Sequence, residues 1–232
     1  MLHCAAHSVR THDLLEIDAN VFIAWNASAP GWVEEALRNT PFVVVRRGRT
    51  TDQEIPIGVR GAERNQRWAA FCHPTWVKSV LTPPQLLTRT VPTLRADAAP
   101  ALRALQVLKD RWMDLDHPWG PGGSVGFELA TGSHVVKPES DLDIVIYAKR
   151  KITREQARSL QARTMNLSVP VDIRVETLAC GFSLTEYARG GSASILLRTP
   201  DGLDLGNDPW SYEFSMEDRG RVVRERLSVP WA

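Results

Sequence analysis

The chain has 232 residues, with 28 basic and 27 acidic side chains and a formal net charge of +1. That length allows one large domain or two small ones with real cores, while the balanced charge offers no field for gathering a nucleic acid. Cys4, Cys72 and Cys180 are odd in number and contain no C-x-x-C pair, which argues against a disulfide framework or zinc knuckle and for a reducing, cytoplasmic setting.

Residues 1–18 interrupt their apolar positions with His3, His7, Arg10, His12 and Asp13, leaving no secretory core, and no later stretch suits a membrane span. His3 and His7 have helical ligand spacing, but no helix-start signal or third ligand accompanies them, so no metal site is expected there. Apolar runs at 42–45, 55–59 and 68–71, separated by turn residues, predict strands of a small sheet. Residues 74–81 predict a short helix. Between 82 and 100, Pro83, Pro84, Pro92 and Pro100 interrupt any periodicity and predict a linker or a segment draped over the surface. The boundary placed there divides a small N-terminal α/β domain, 1–90, from a second domain, 91–232. Arg46, Arg47, Arg49, Arg60, Arg64 and Arg67 cluster in the first section, and phosphates, an acidic partner protein and plain solvent all remain open as what they face.

Beyond the boundary, Leu102, Leu105, Leu108, Trp112 and Leu115 recur at helical steps, with Asp97 as a cap and an end near Pro118. Gly122-Gly123-Ser124 precedes a short helix over 125–131. Glycines let backbone amides approach phosphate oxygens, and a helix start adds favourable partial charge. Along 141–147, strand alternation sends Leu142, Ile144 and Ile146 to one face and Asp141 and Asp143 to the other. A helix over 153–166, capped by Thr153, leads to a second strand at 171–175, where Val171, Ile173 and Val175 oppose Asp172, Arg174 and Glu176. A hairpin at 195–205 turns at Pro200, Asp201 and Gly202. The fold class expected is α+β, with a mixed sheet flanked by helices in the second domain.

Adjacent carboxylates repel unless a cation lies between them, and oxygen ligands of this kind suit Mg2+ or Mn2+. If the two acidic strands are neighbours, Asp172 joins Asp141 and Asp143, and three carboxylates can hold two divalent ions for in-line displacement at phosphorus. These three are the candidate catalytic and metal-ligating residues; Gly122, Gly123, Ser124, Arg174 and Arg198 are the candidate substrate ligands. Arg174 either clamps a phosphate or pairs with Asp172 or Glu176, and Arg198 is either a phosphate ligand or an exposed strand charge. His134 and Lys137 lie in the loop before the acidic strand and border the site, while Trp112, Trp119 and Trp210 are expected as core fillers.

The ordered set of Gly-Gly-Ser, D-x-D and a later lone aspartate on a strand resembles the polymerase-beta-like nucleotidyltransferase superfamily. One departure is His117-Pro118-Trp119-Gly120-Pro121, where the superfamily commonly has an apolar strand; Pro121 cannot donate within a sheet, so a short or edge strand is expected. Further text narrows the likeness: Gly123-Ser124, Gly126-Phe127-Glu128-Leu129-Ala130-Thr131-Gly132, Ser140-Asp141-Leu142-Asp143, the 171–177 strand, Gly181-Phe182-Ser183-Leu184 and Asp208-Pro209-Trp210. With His12-Asp13-Leu14-Leu15 and Ile55-Pro56-Ile57-Gly58-Val59-Arg60-Gly61, these resemble the phosphoribosyl-dephospho-CoA transferases of malonate decarboxylase over nearly the whole chain. The resemblance implies transfer of a prosthetic group from triphosphoribosyl-dephospho-CoA to a serine of the acyl carrier subunit, with loss of pyrophosphate. The N-terminal domain is then a candidate docking surface for that carrier. Two alternatives stay open: a nucleotidyltransferase acting on another protein, a small molecule or a nucleic acid, and a non-catalytic nucleotide-binding scaffold. The presence of all three aspartates counts against the scaffold.

Overall fold

A computed structural model describes residues 9–211 apart from Arg64, Ser192 and Ala193, and side chains apart from Thr93 and Leu94 as well. The expectations for His3, Cys4, His7 and Arg64 lie outside the described residues.

The chain opens with β1 (Leu14–Ile17), α1 (Ala19–Trp25) and α2 (Gly31–Asn39), followed by β2 (Phe42–Val45), β3 (Ile55–Arg60), β4 (Arg67–Cys72) and β5 (Val77–Leu81). The five strands form a sheet in the order β4-β3-β2-β1-β5, antiparallel throughout. Alternation along β3 sends Ile55, Ile57 and Val59 into a core shared with Phe22, Val33 and Leu37 of the two helices. The reverse face carries Val44 opposite Gly58, and Arg60 opposite Arg67.

Two segments differ from expectation. The helix expected at 74–81 is a single 3-10 turn, Pro74–Trp76, running into β5. A strand forms because β1 offers an unpaired edge, where Leu14 meets Leu81 and Leu15 meets Val80. The expected linker at 82–100 is largely helical, with α3 (Pro83–Leu86) and α4 (Thr93–Ala98) leading into α5 (Pro100–Arg111). Its prolines start helices rather than break them: Pro83 and Pro100 open α3 and α5, where the missing amide hydrogen is not needed, and Thr82 closes a capping box with Gln85. Asp97 therefore lies in α4, where it pairs with Arg103, and Ala99 occupies the cap position of α5 without a side-chain bond.

The second sheet comprises β6 (Trp119–Pro121), β7 (Leu142–Tyr147), β8 (Val171–Glu176), β9 (Gly181–Ser183) and the hairpin β10 (Ile195–Thr199) with β11 (Gly202–Gly206). Between strands run α6 (Gly123–Thr131), α7 (Arg154–Ala162), which Thr153 caps in a box with Gln156, and α8 (Leu184–Arg189). The order is β11-β10-β9-β8-β7-β6, and the sheet is mixed: β7 and β8 run parallel, with α7 between them in the chain, while the other pairs are antiparallel. The apolar faces of β7 and β8 pack with Leu102, Leu105 and Leu108 of α5, and the buried Trp112 and Trp119 rings meet edge to face at 4.9 Å. β6 is the short edge strand that Pro121 implied. Gly120 lets α3 press against it, since a Cβ there would lie 1.9 Å from the Pro83 carbonyl oxygen.

Candidate active site

Parallel pairing sets Asp143 directly beside Asp172, and Ile144 beside Ile173. Matched positions on neighbouring strands share a face about 5 Å apart, so the two carboxylates project together while the isoleucines enter the core. Asp141 lies exposed one residue before β7. The Asp143 carboxyl is held above its ordinary pKa by burial first, then by the negative charges of Asp141 and Asp172, against an opposing pull from Arg60 and Arg174. Arg174 donates to Asp172 at 3.1 Å, which realises the internal pairing considered for it and still leaves its guanidinium partly exposed. The donors fit a hard divalent cation: they are oxygens, two are in cross-strand register, and their mutual repulsion is what a cation relieves. Among the described residues, no three carboxylate, imidazole or thiol side chains form a ready-made metal cage.

The glycine turn lies against this pair. The Gly122 amide donates to the Asp143 carbonyl at 2.9 Å, tying the turn to β7. Gly123 has φ 53°, and a Cβ on it would lie 1.8 Å from Asp143 Oδ2, so backbone conformation and space both require glycine. α6 starts here with no side-chain cap, and Ser124 sits half-buried in its first turn. Glu128, buried in α6, receives Arg95 at 2.5 and 2.8 Å and the amides of Val135 and Val136 at 2.9 and 2.8 Å. Burial pushes the Glu128 carboxyl up, but these partners outweigh it and bring the net shift below the ordinary value. The clamp fixes the return loop that delivers Asp141. His134 and Lys137 are exposed on that loop.

The far end of the acidic face meets the N-terminal domain. Glu176 is buried and bonded to His12 Nε2 at 2.8 Å and to Arg47. The Tyr147 hydroxyl donates to the Thr11 carbonyl at 2.8 Å, and Arg10 stacks over the Tyr147 ring at 4.0 Å. Arg49 grips Asp201 with two bonds of 3.0 Å. Arg198 pairs in register with Gly181, whose missing side chain leaves room for Arg47. Arg198 is half-buried rather than an exposed strand charge; burial, then the nearby charge of Arg174, holds its pKa below the usual guanidinium value.

Comparison with known proteins adds to this geometry. The family model described as phosphoribosyl-dephospho-CoA transferase MdcG N-terminal domain matches residues 10–83, and the model for the MdcG C-terminal domain matches residues 87–209. The chain belongs to the phosphoribosyl-dephospho-CoA transferase family. Among relatives bearing that name, one from Pseudomonas aeruginosa is 36% identical over 199 residues, covering 86% of this chain and 92% of the relative. Another, from Klebsiella pneumoniae strain 342, is 36% identical over 208 residues, covering 88% and 97%. No solved structure matches the chain significantly. The C-terminal match of the phosphoribosyl-dephospho-CoA transferase family holds Asp141, Asp143, Asp172, Gly122, Gly123, Ser124, Arg174 and Arg198, and the N-terminal match holds His12, Arg47 and Arg60.

Within this transferase family member, sequence reasoning placed Glu176 on the acidic face but missed that it serves as an ion-paired anchor between the domains. It also missed Glu128 as the clamp of the return loop. A glutamate among the apolar neighbours of a short helix was the available signal for Glu128. Nothing local signals the partners of Glu176, because His12 lies 164 residues away.

Proposed function

We propose that this chain transfers the 2'-(5-phosphoribosyl)-3'-dephospho-CoA group from its triphosphate precursor to a serine of the acyl carrier subunit of malonate decarboxylase, releasing pyrophosphate. The observation that carries the chemistry is the register of Asp143 with Asp172 beside the glycine-led start of α6. The name that the relatives bear, phosphoribosyl-dephospho-CoA transferase, supports the identity of the transferred group.

In this reading the serine oxygen, its proton passing to solvent, bonds to the phosphorus nearest the ribose, the bond from that phosphorus to the oxygen shared with the next phosphorus breaks, and pyrophosphate leaves with the electron pair. Asp141, Asp143 and Asp172 would hold Mg2+ or Mn2+, which when bound stabilises charge on the phosphoryl oxygens and favours ionisation of the attacking hydroxyl. The Gly122 amide holds Asp143 through its carbonyl, and the amides of Gly123 and Ser124 at the start of α6 would approach a phosphate. Arg174 and Arg198 would meet the charge of the departing pyrophosphate. The order of strands, with a D-x-D strand beside a lone-aspartate strand, supports a polymerase-beta-like nucleotidyltransferase fold. Cys72 and Cys180 are free, buried thiols, and we place the reaction in a reducing cytoplasm.

The test is mass spectrometry of the apo carrier subunit incubated with this protein, Mg2+ and triphosphoribosyl-dephospho-CoA. A serine-linked increment equal to the transferred group, with one pyrophosphate released per carrier, is expected. An unmodified carrier beside a different, modified acceptor would overturn the choice of acceptor while leaving the phosphorus chemistry intact.

A further inference from the structure

Alternation on the C-terminal hairpin runs against the rest of the second sheet. On β10, Ile195, Leu197 and Thr199 are buried, while Arg198 lies on the other face, beside Gly181 and so on the face that carries Glu176 and Asp172. Register puts Leu203 opposite Arg198 and Leu205 opposite Leu196, whereas Asp204 stands opposite the buried Leu197. β11 therefore turns its charged residue to the core side and both leucines to the side of the carboxylates. An edge strand that only had to close the sheet would do the reverse. Leu203 and Leu205 are 71% and 68% exposed, so the core of the chain makes little use of them.

The same face is closed elsewhere. At the β6 edge α3 presses on Gly120, which pairs with Val145 between the positions of Asp143 and Tyr147. At the far end His12, Arg47 and Thr11 hold Glu176 and Tyr147. From the Asp172 strand the face continues across β9 and β10 to the outermost strand β11, a path of three strand spacings or about 14 Å. A specific protein interface covers about 800 Å2 on each partner, a patch of roughly 16 Å radius. A protein that brings a serine hydroxyl to Asp143 and Asp172 along this side thus has both leucines within its footprint, where apolar contact fills the centre of an interface. A nucleoside fits them poorly. Small ligands sit in concave pockets that bury most of their surface, and two side chains on an outermost strand enclose nothing.

We infer that Leu203 and Leu205 form the apolar centre of a docking surface for the acyl carrier subunit, whose serine accepts the transferred group. This rests on the transferase reading above. It places the contact with the carrier on the second domain, on the same sheet face as the carboxylates.

The experiment compares wild type with full-length Leu203→Thr combined with Leu205→Thr, which keeps strand-favouring residues at both positions, and with Asp204→Thr on the opposite face of β11. Calorimetric binding of the apo carrier is measured alongside KM for the carrier and for the triphosphate precursor, and sedimentation gives the oligomeric state. The double variant is expected to weaken carrier binding and raise carrier KM by about ten- to a hundred-fold, the loss of two modest apolar contacts. Its precursor KM, its turnover at saturating carrier and all properties of Asp204→Thr should stay within about two-fold of wild type. Unchanged carrier binding and KM in the folded double variant overturn the inference. An effect confined to precursor KM also overturns it by making the leucines a nucleotide subsite, as does a wild-type dimer that the double variant splits with carrier KM unchanged. If the double variant fails to fold, Leu205→Thr alone decides by the same criteria. Carrier modification by wild type separates the two levels: a modified carrier with an unaffected double variant rejects only the docking surface, whereas a carrier that wild type neither binds nor modifies rejects the acceptor reading and the docking surface with it.

Discussion

Gly123→Ala tests the geometry of the site more sharply than removal of a carboxylate does. The added Cβ would stand 1.8 Å from Asp143 Oδ2, 2.7 Å from its Cγ and 3.0 Å from its Cβ. Ordinary contact begins near 3.4 Å, so the carboxylate tip must retreat by about 1.6 Å. Rotation of the Asp143 side chain moves its carboxylate away but leaves the 3.0 Å approach to its Cβ, and the left-handed φ of 53° adds about 1 kcal/mol for a residue with a Cβ. The stability loss should therefore be about 1–3 kcal/mol, which a domain of this size survives. Activity should suffer far more, because a misplacement of about 1 Å in a reacting constellation costs roughly a hundred-fold. Urea denaturation gives the first quantity and carrier modification under single-turnover conditions the second. Near-wild-type transfer by a folded Gly123→Ala protein would refute the claim that the turn positions Asp143 for catalysis.

Asp143→Asn and Asp172→Asn should each lower turnover by about a thousand-fold or more with thermal melting little changed, and chelation of divalent ions should silence the wild type reversibly; appreciable turnover in folded variants or in excess chelator counts against metal ligation. Glu176→Gln should cost about 3 kcal/mol in denaturant unfolding, because it leaves half-buried Arg47 without its carboxylate; an unchanged midpoint would show that the anchor between the domains is not a stabilising one. Asp13 is fully buried, and burial lifts its pKa from 3.8 to about 6. Folding then favours its neutral form, so this contribution is complete below pH 3.8 and is lost as pH rises through about 6, leaving a penalty of roughly 3 kcal/mol at pH 7.5. Asp13→Asn should accordingly be more stable than wild type at pH 7.5 and lose that advantage near pH 4; a difference independent of pH would refute the assignment.

Much of the second domain was legible because its signals are local. Alternation around Asp141 and Asp143, and again around Asp172 and Arg174, gives both strands their acidic and apolar faces without reference to any other part of the chain. Thr153 caps α7 with Gln156 three residues on, and the Pro200-Asp201-Gly202 turn lies between strands that pair from Ile195–Gly206 to Thr199–Gly202. The segment 82–100 was misread for the same reason in reverse: its prolines are equally at home in a linker and in the first turn of a helix, and only contact with β6 and the second core selects the helices.

The sequence alone thus determined which residues carry charge on an otherwise apolar strand, where the glycine turn falls and which family the chain resembles, since each is written in short-range order. Only the tertiary structure decided that Asp143 stands in register with Asp172 and that Glu176 is held by His12 and Arg47. A two-residue period assigns a strand its faces but neither its neighbour nor its register. Those follow from packing between segments as far apart as the 129 residues that separate Arg47 from Glu176.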